Sequence, residues 1–249
     1  DQLYEGVGRF ESFVACFDDE YYGFAHSAQK SRGLGGKAHW RPDMAQAIKD
    51  HDLASVFVGE FECPHKINLQ RVLLQMQYVA KTVIHLYTGM RDQEVMRMPY
   101  HCLSDQVVRQ AVVDDKGIER DKPQSVNVLS TTTKFSGYKK EGAWFSPGEV
   151  VKAVEVAQAI CRGLAKLYKI ELDARCPLFL NPAIVGSTRN NAEVGVPRFM
   201  GRSTQGTALH SLSIQAEDLQ ELAQSDPSRD FYSEPAFAVG QPWPLTSHQ

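Results

Sequence analysis

The sequence predicts an α+β fold, mainly helical, with one small antiparallel sheet. Two long segments, 69–87 and 150–164, carry apolar residues at three- and four-residue steps, the period of a core-facing helix. Between them the composition shifts to valine, threonine and turn formers. Two strand-like runs around a turn there predict a hairpin laid beside helices, not a βαβ series.

The 249 residues suffice for one large domain, or a small one beside a larger one. A hydrophobic content of 43% and a charged content of 23% are those of a soluble globular protein. No apolar run approaches the roughly eighteen residues of a membrane span, so no membrane partner is expected. The N-terminus is acidic and aromatic and shows no signal-peptide pattern, which makes cytoplasmic residence the expectation. The five cysteines (Cys16, Cys63, Cys102, Cys161 and Cys176) are odd in number and widely spaced, which argues against a disulfide framework. A net charge of −3 weighs against a surface given over to nucleic acid, but not against a local basic face.

Residues 1–65 read as a linker or peripheral N-terminal segment before a larger unit at 66–249. FESFVACF is a short apolar run and SRGLGGKAHWRP is loop-like. A short helix is expected over 43–50, with Pro42 near its first turn. LASVFVGEF, at 53–61, fits either a strand or a helical turn. Cys63-x-His65 and His101-Cys102 invite a zinc reading. Neither pair has finger spacing and the two would have to meet in space, so no metal and no other cofactor is expected.

The first long helix carries Leu69, Val72, Leu73, Met76, Val79, Ala80, Val83, Ile84 and Tyr87 as its apolar stripe. Gly89 stands where a helix C-terminus takes a positive φ. Asp92 and Glu94 suit the first turn of a short following helix, where the dipole favours acids. Pro99 bars that helix from running further. Arg91 is electrostatically out of place, because a cation at a helix start opposes the dipole. Two readings account for it. One is a guanidinium held for a phosphate beside the helix-start N–H groups; the other is an ordinary surface or salt-bridged arginine.

SVNVLSTTTKF then reads as a strand, Phe135 to Lys140 as a turn and GAWFS as the returning strand. Lys134, Lys139 and Lys140 cluster at the tip, as on a solvated edge or as a guard against edge-to-edge aggregation. Ser146 as N-cap, Pro147 at the first helical position and Glu149 in the first turn open the second long helix. Cys161 lies on its apolar stripe; Arg162, Lys166 and Lys169 line its exposed end. Residues 175–209 read as a long irregular excursion, with Arg189, Arg198 and Arg202 against the single acid Glu193. Such a basic loop could track a DNA backbone through Arg198 and Arg202, or simply face solvent. One more helix is expected over 213–224, capped near Ser213 and ended by Asp226-Pro227.

The stretch TGMRDQEVMRM resembles the first arginine box of the tyrosine recombinases, the phage-integrase family. That box reads roughly T-G-x-R-x-x-E-hydrophobic at the end of a long apolar helix. The ending FYSEPAFAVGQPWPLTSHQ, preceded by Asp230, is similar to D-x-x-x-E-P-x-F-x-V-G-x-x-W-P-x-T-S-H-Q of one bacterial branch, where it runs on into F-R-R and a helix. The resemblance covers residues 66–249 and implies part of a recombinase catalytic core. It implies double-stranded DNA as partner, a homo-oligomer assembled on it, and strand cleavage and rejoining through a phosphotyrosine, without a cofactor. Arg91 would then bind the scissile phosphate, and Lys134 would act as general acid to the leaving 5′-hydroxyl. His248 would open the second box and assist near the phosphate, while Lys139 and Lys140 would contact the DNA backbone. Glu94 would buttress the arginine box. The box's second arginine would fall two positions beyond Gln249 and no tyrosine follows His248, so the chain by itself is expected to be an inactive piece. Tyr232 is read as structural. Two other classes compete: a non-catalytic DNA-binding or regulatory module with this fold, and an unrelated helical interaction protein, which the acidic balance favours.

Overall fold

The structure, a computed structural model, describes residues 1–17, 44–108, 112–113, 119–120, 125–132, 140–185, 194–197, 200 and 213–242. It is a mixed fold, helical for the most part, with a small antiparallel sheet. It divides into two compact units, Asp1–Met200 and Gly201–Gln249.

The first unit opens with three short helices, α1 (Gln2–Glu5), α2 (Phe10–Ala15) and α3 (Met44–Asp50). They precede the 23-residue helix α4 (Lys66–Thr88). Leu3, Phe10, Phe13, Val14, Met44, Leu53, Val56 and Phe57 share one buried cluster with Leu69, Val72, Leu73 and Met76 of α4. The segment expected to be a linker or periphery therefore helps build the larger core. Single large side chains on short helices and turns do this, a pattern too short to show a period in the sequence. Residues 53–61 form turns ending in a 3₁₀ turn, Gly59–Phe61, and no strand.

After α4 come the one-turn α5 (Asp92–Met96) and the strands β1 (Leu103–Val108), β2 (Val112–Val113), β3 (Glu119–Arg120), β4 (Ser125–Thr132) and β5 (Lys140–Ser146). β1, β4 and β5 make a three-stranded antiparallel sheet in that order, and β2 pairs with β3 as a separate ribbon. The helix α6 (Gly148–Tyr168) packs along α4 and α2. Of its predicted stripe, Val150, Val154, Ala157, Ile160, Cys161 and Leu164 are buried, while Val151 is only half-buried. Gly163 lets α6 approach α2: a Cβ there would stand 2.6 Å from Val14 Cβ and 3.0 Å from the Glu11 carbonyl oxygen. Arg162, expected at the exposed end, is instead half-buried. It reaches Glu11 at 2.7 Å and donates to the Tyr100 hydroxyl at 3.1 Å.

Two local expectations are corrected. Ser146 is not the cap of α6; it ends β5, is buried, and donates to the Trp144 carbonyl at 3.2 Å. Pro147 takes the cap position, and its carbonyl accepts the Val150 N–H at 3.0 Å. The start of the supposed 175–209 excursion is core: Leu178, Phe179, Leu180, Ile184 and Val185 are buried. Leu178 N–H donates to the Met98 carbonyl at 2.9 Å, so this segment runs beside the exit of α5.

The second unit centres on α7 (Ala216–Ser225), with Leu219 packed against Ile214 and Phe231. Its N-cap is Gln215, not Ser213: Asp218 accepts the Gln215 N–H at 2.8 Å and closes a capping box. The 230–242 stretch folds back onto Ile214. The Gly240 N–H donates to the Ile214 carbonyl and the Ile214 N–H to the Gln241 carbonyl, both at 2.8 Å. Gly240 has φ +84, a conformation that favours glycine. Arg229 grips Glu234 through two bonds of 2.6 and 2.7 Å and lies over Phe231 and Phe237. Tyr232, read as structural, is exposed.

Candidate functional site

The junction of α4 and α5 carries a charged cluster of Arg91, Asp92, Glu94 and Lys81. α4 ends as the sequence predicts, with Gly89 at φ +65 donating its N–H to the His85 carbonyl at 3.1 Å. Thr88 Oγ1 accepts the Met90 N–H at 3.2 Å, and Met90 is buried, so the turn is anchored on both sides. The next residue, Arg91, is extended and forms the N-cap of α5.

Glu94 holds Arg91 twice. One carboxylate oxygen accepts the Arg91 backbone N–H at 2.7 Å and the other accepts Nη1 at 3.0 Å. The Glu94 side chain is 7% exposed and that of Arg91 50%. The acid is therefore the buried support and the guanidinium the presented group. A guanidinium has five N–H donors, and among the described residues one atom of it, Nη1, bonds Glu94. Its exposed half can take a second oxyanion in the fork geometry that suits phosphate.

Strand β4 is fastened to the same acid. Ser130 Oγ donates to the Glu94 carbonyl, and the Thr132 side chain hydrogen-bonds the Glu94 carboxylate. Burial pushes the Glu94 carboxyl up. Bonds from Thr132 and from the Arg91 N–H, with the charge of Arg91, outweigh it and hold the pKa below its ordinary value. A carboxyl with a folded pKa below its unfolded one, near ~4.3, adds stability that is present above that value and lost as pH falls through the folded pKa. Glu94→Gln therefore flattens the acid limb of a plot of urea midpoint against pH. An acid limb as steep as in the unaltered protein counts against this role.

Beneath Arg91, Asp92 and Lys81 form a buried ion pair joining α5 to the middle of α4. Neither residue was singled out as a pair by the sequence pattern. The available signal was a lysine, Lys81, set inside an apolar run eleven positions before Asp92.

Of the other candidates, Lys140 begins β5 directly opposite Thr132 and is exposed. Opposed residues of an antiparallel pair share a face, so Lys140 stands on the sheet face from which Thr132 reaches Glu94. Lys134, Lys139, Arg198, Arg202 and His248 lie outside the described residues. Cys63 Sγ donates to the His65 carbonyl at 3.6 Å, and His101 Nε2 lies 3.0 Å from the Leu172 carbonyl. Among the described residues no group of three or more His, Cys, Asp or Glu could hold a metal ion, and no helix is long and apolar enough to cross a membrane. The chain matches no protein-family model, no curated protein and no solved structure.

Proposed function

We propose that the chain is part of a tyrosine-type site-specific recombinase that cleaves and rejoins double-stranded DNA through a phosphotyrosine intermediate. The observation that carries this reading is the Arg91 assembly. An arginine follows a left-handed helix stop, is held half-exposed by the buried Glu94, and is tied through Thr132 to the strand that leads to Lys134. In this reading Arg91 neutralises the scissile phosphate, and Lys134 protonates the leaving 5′-oxygen. His248 assists at the phosphate, while Lys139, Lys140, Arg198 and Arg202 bind the DNA backbone and assembly on DNA brings copies together. The resemblance in TGMRDQEVMRM and in the 230–249 ending supports the same reading.

The test is duplex binding by this chain as a function of salt. Phosphate contacts release counterions, so log K falls with log salt by about 0.9 per phosphate neutralised. Lys140→Glu is expected to weaken binding to unrelated duplexes alike and to reduce that slope by about 1. Binding that is absent, or flat from about 50 to 200 mM salt, sinks the reading and leaves a helical interaction protein.

A further inference from the structure

Four of the five cysteines are buried and Cys16 is half-buried. Cys63 and Cys102 are buried, and burial pushes their thiols up to about 11 and about 12, which keeps them protonated and unreactive. Cys161 on α6 and Cys176 in the segment that follows it are buried together. Both sulfurs point at one acceptor, the Pro177 carbonyl oxygen, at 3.4 and 3.7 Å. The two thiols are near enough to shift each other's titration, Cys161 up and Cys176 down. The backbone around Cys176 is fixed: its N–H donates to Asp173 Oδ1 at 3.0 Å, and its carbonyl accepts the Tyr100 N–H at 2.7 Å.

We infer that Cys161 and Cys176 are an oxidisable dithiol that closes to an intramolecular disulfide when a small-molecule disulfide is the oxidant. Cys176 is the attacking group, because it is the less deeply buried of the two. Its thiol is shifted down by the Cys161 thiol, while that of Cys161 is shifted up by the same contact and by burial. The Cys176 thiolate attacks one sulfur of the small disulfide, forms a mixed disulfide and expels one thiolate. Cys161 then gives up its proton, attacks the Cys176 sulfur and expels the second thiolate. Two protein thiols lose two electrons and two protons, and the small disulfide leaves as two thiols. The new bond fastens α6 to the segment that pairs with Met98 and Tyr100 at the exit of α5. The inference stands apart from the recombinase reading.

The experiment treats the native protein with excess oxidised glutathione, then maps thiols and cross-linked peptides by mass spectrometry. The expected result is loss of the Cys161 and Cys176 thiols, a decrease of two hydrogens in that pair of peptides, and one cross-link joining them, with any glutathione adduct confined to the half-buried Cys16. Cys176→Ala is expected to remove that cross-link, and Cys63→Ala to leave it. A native protein that carries only stable glutathione adducts, or forms the 161–176 link only in urea, overturns the inference. This peptide map is read on the unaltered chain, so it decides the matter even where a variant fails to fold.

Discussion

On the recombinase reading, Arg91→Ala is expected to lower strand cleavage by a cleavage-competent protein that contains this chain by about 10²- to 10³-fold or more. Duplex affinity should fall by less than about tenfold, because one phosphate contact among many is lost. The asymmetry follows from what the side chain does. A scissile phosphate gains charge as the phosphorus is attacked, so a fixed guanidinium stabilises the transition state more than the ground state. Glu94 holds Arg91 through its backbone N–H as well as its guanidinium, which fixes the cation in place without any ligand. Arg91→Lys should rescue little, because a point-charge ammonium lacks the planar fork. The measurement is single-turnover cleavage of the protein's own site beside an equilibrium binding curve. Cleavage at the normal rate by Arg91→Ala removes Arg91 from the chemistry. Parallel loss of binding and cleavage would reduce it to a backbone contact.

The second large effect is on stability. Lys81→Met is expected to cost about 3–5 kcal/mol, because it leaves the buried Asp92 carboxyl without its counter-charge. Asp92 is already poorly satisfied: its Oδ2 has no hydrogen-bond partner among the described residues. The double change Lys81→Met with Asp92→Leu should regain most of that loss, since replacing both charges by apolar groups removes the desolvation cost. Urea unfolding of the three proteins decides it. A single-variant loss below about 1 kcal/mol means the pair is solvated in practice. Because Asp92 is the residue after Arg91 and the first of α5, Lys81→Met should also loosen the arginine mount before it unfolds the chain.

Much of this site is legible locally. Gly89 as a left-handed stop, and Asp92 and Glu94 in the first turn of the helix that follows, are short-range features, set by φ preference and by the dipole and hydrogen bonds of one turn. The short acid-led helix between Gly89 and Pro99 is legible for the same reason. The face of α4 was legible only in part. Leu69, Val72, Leu73, Met76, Ala80 and Ile84 of the apolar stripe are buried, but Val79 and Tyr87 are exposed, while Gln77 and Lys81 are buried. The period gives a helix and an approximate face; the partner elements fix the rotation, here by placing Asp92 against Lys81.

The sequence by itself determined the two long helices, the stop between α4 and α5 and the pairing of β4 with β5, because each depends on neighbours within a few residues. Only the tertiary structure decided that residues before 65 share the core with α4 and α6, that 178–185 is interior, that β4 is bonded to Glu94 and that Cys161 meets Cys176. Those pairings join residues far apart in the chain. They depend on which surfaces exclude water together and which buried polar groups find partners, and no local period records either.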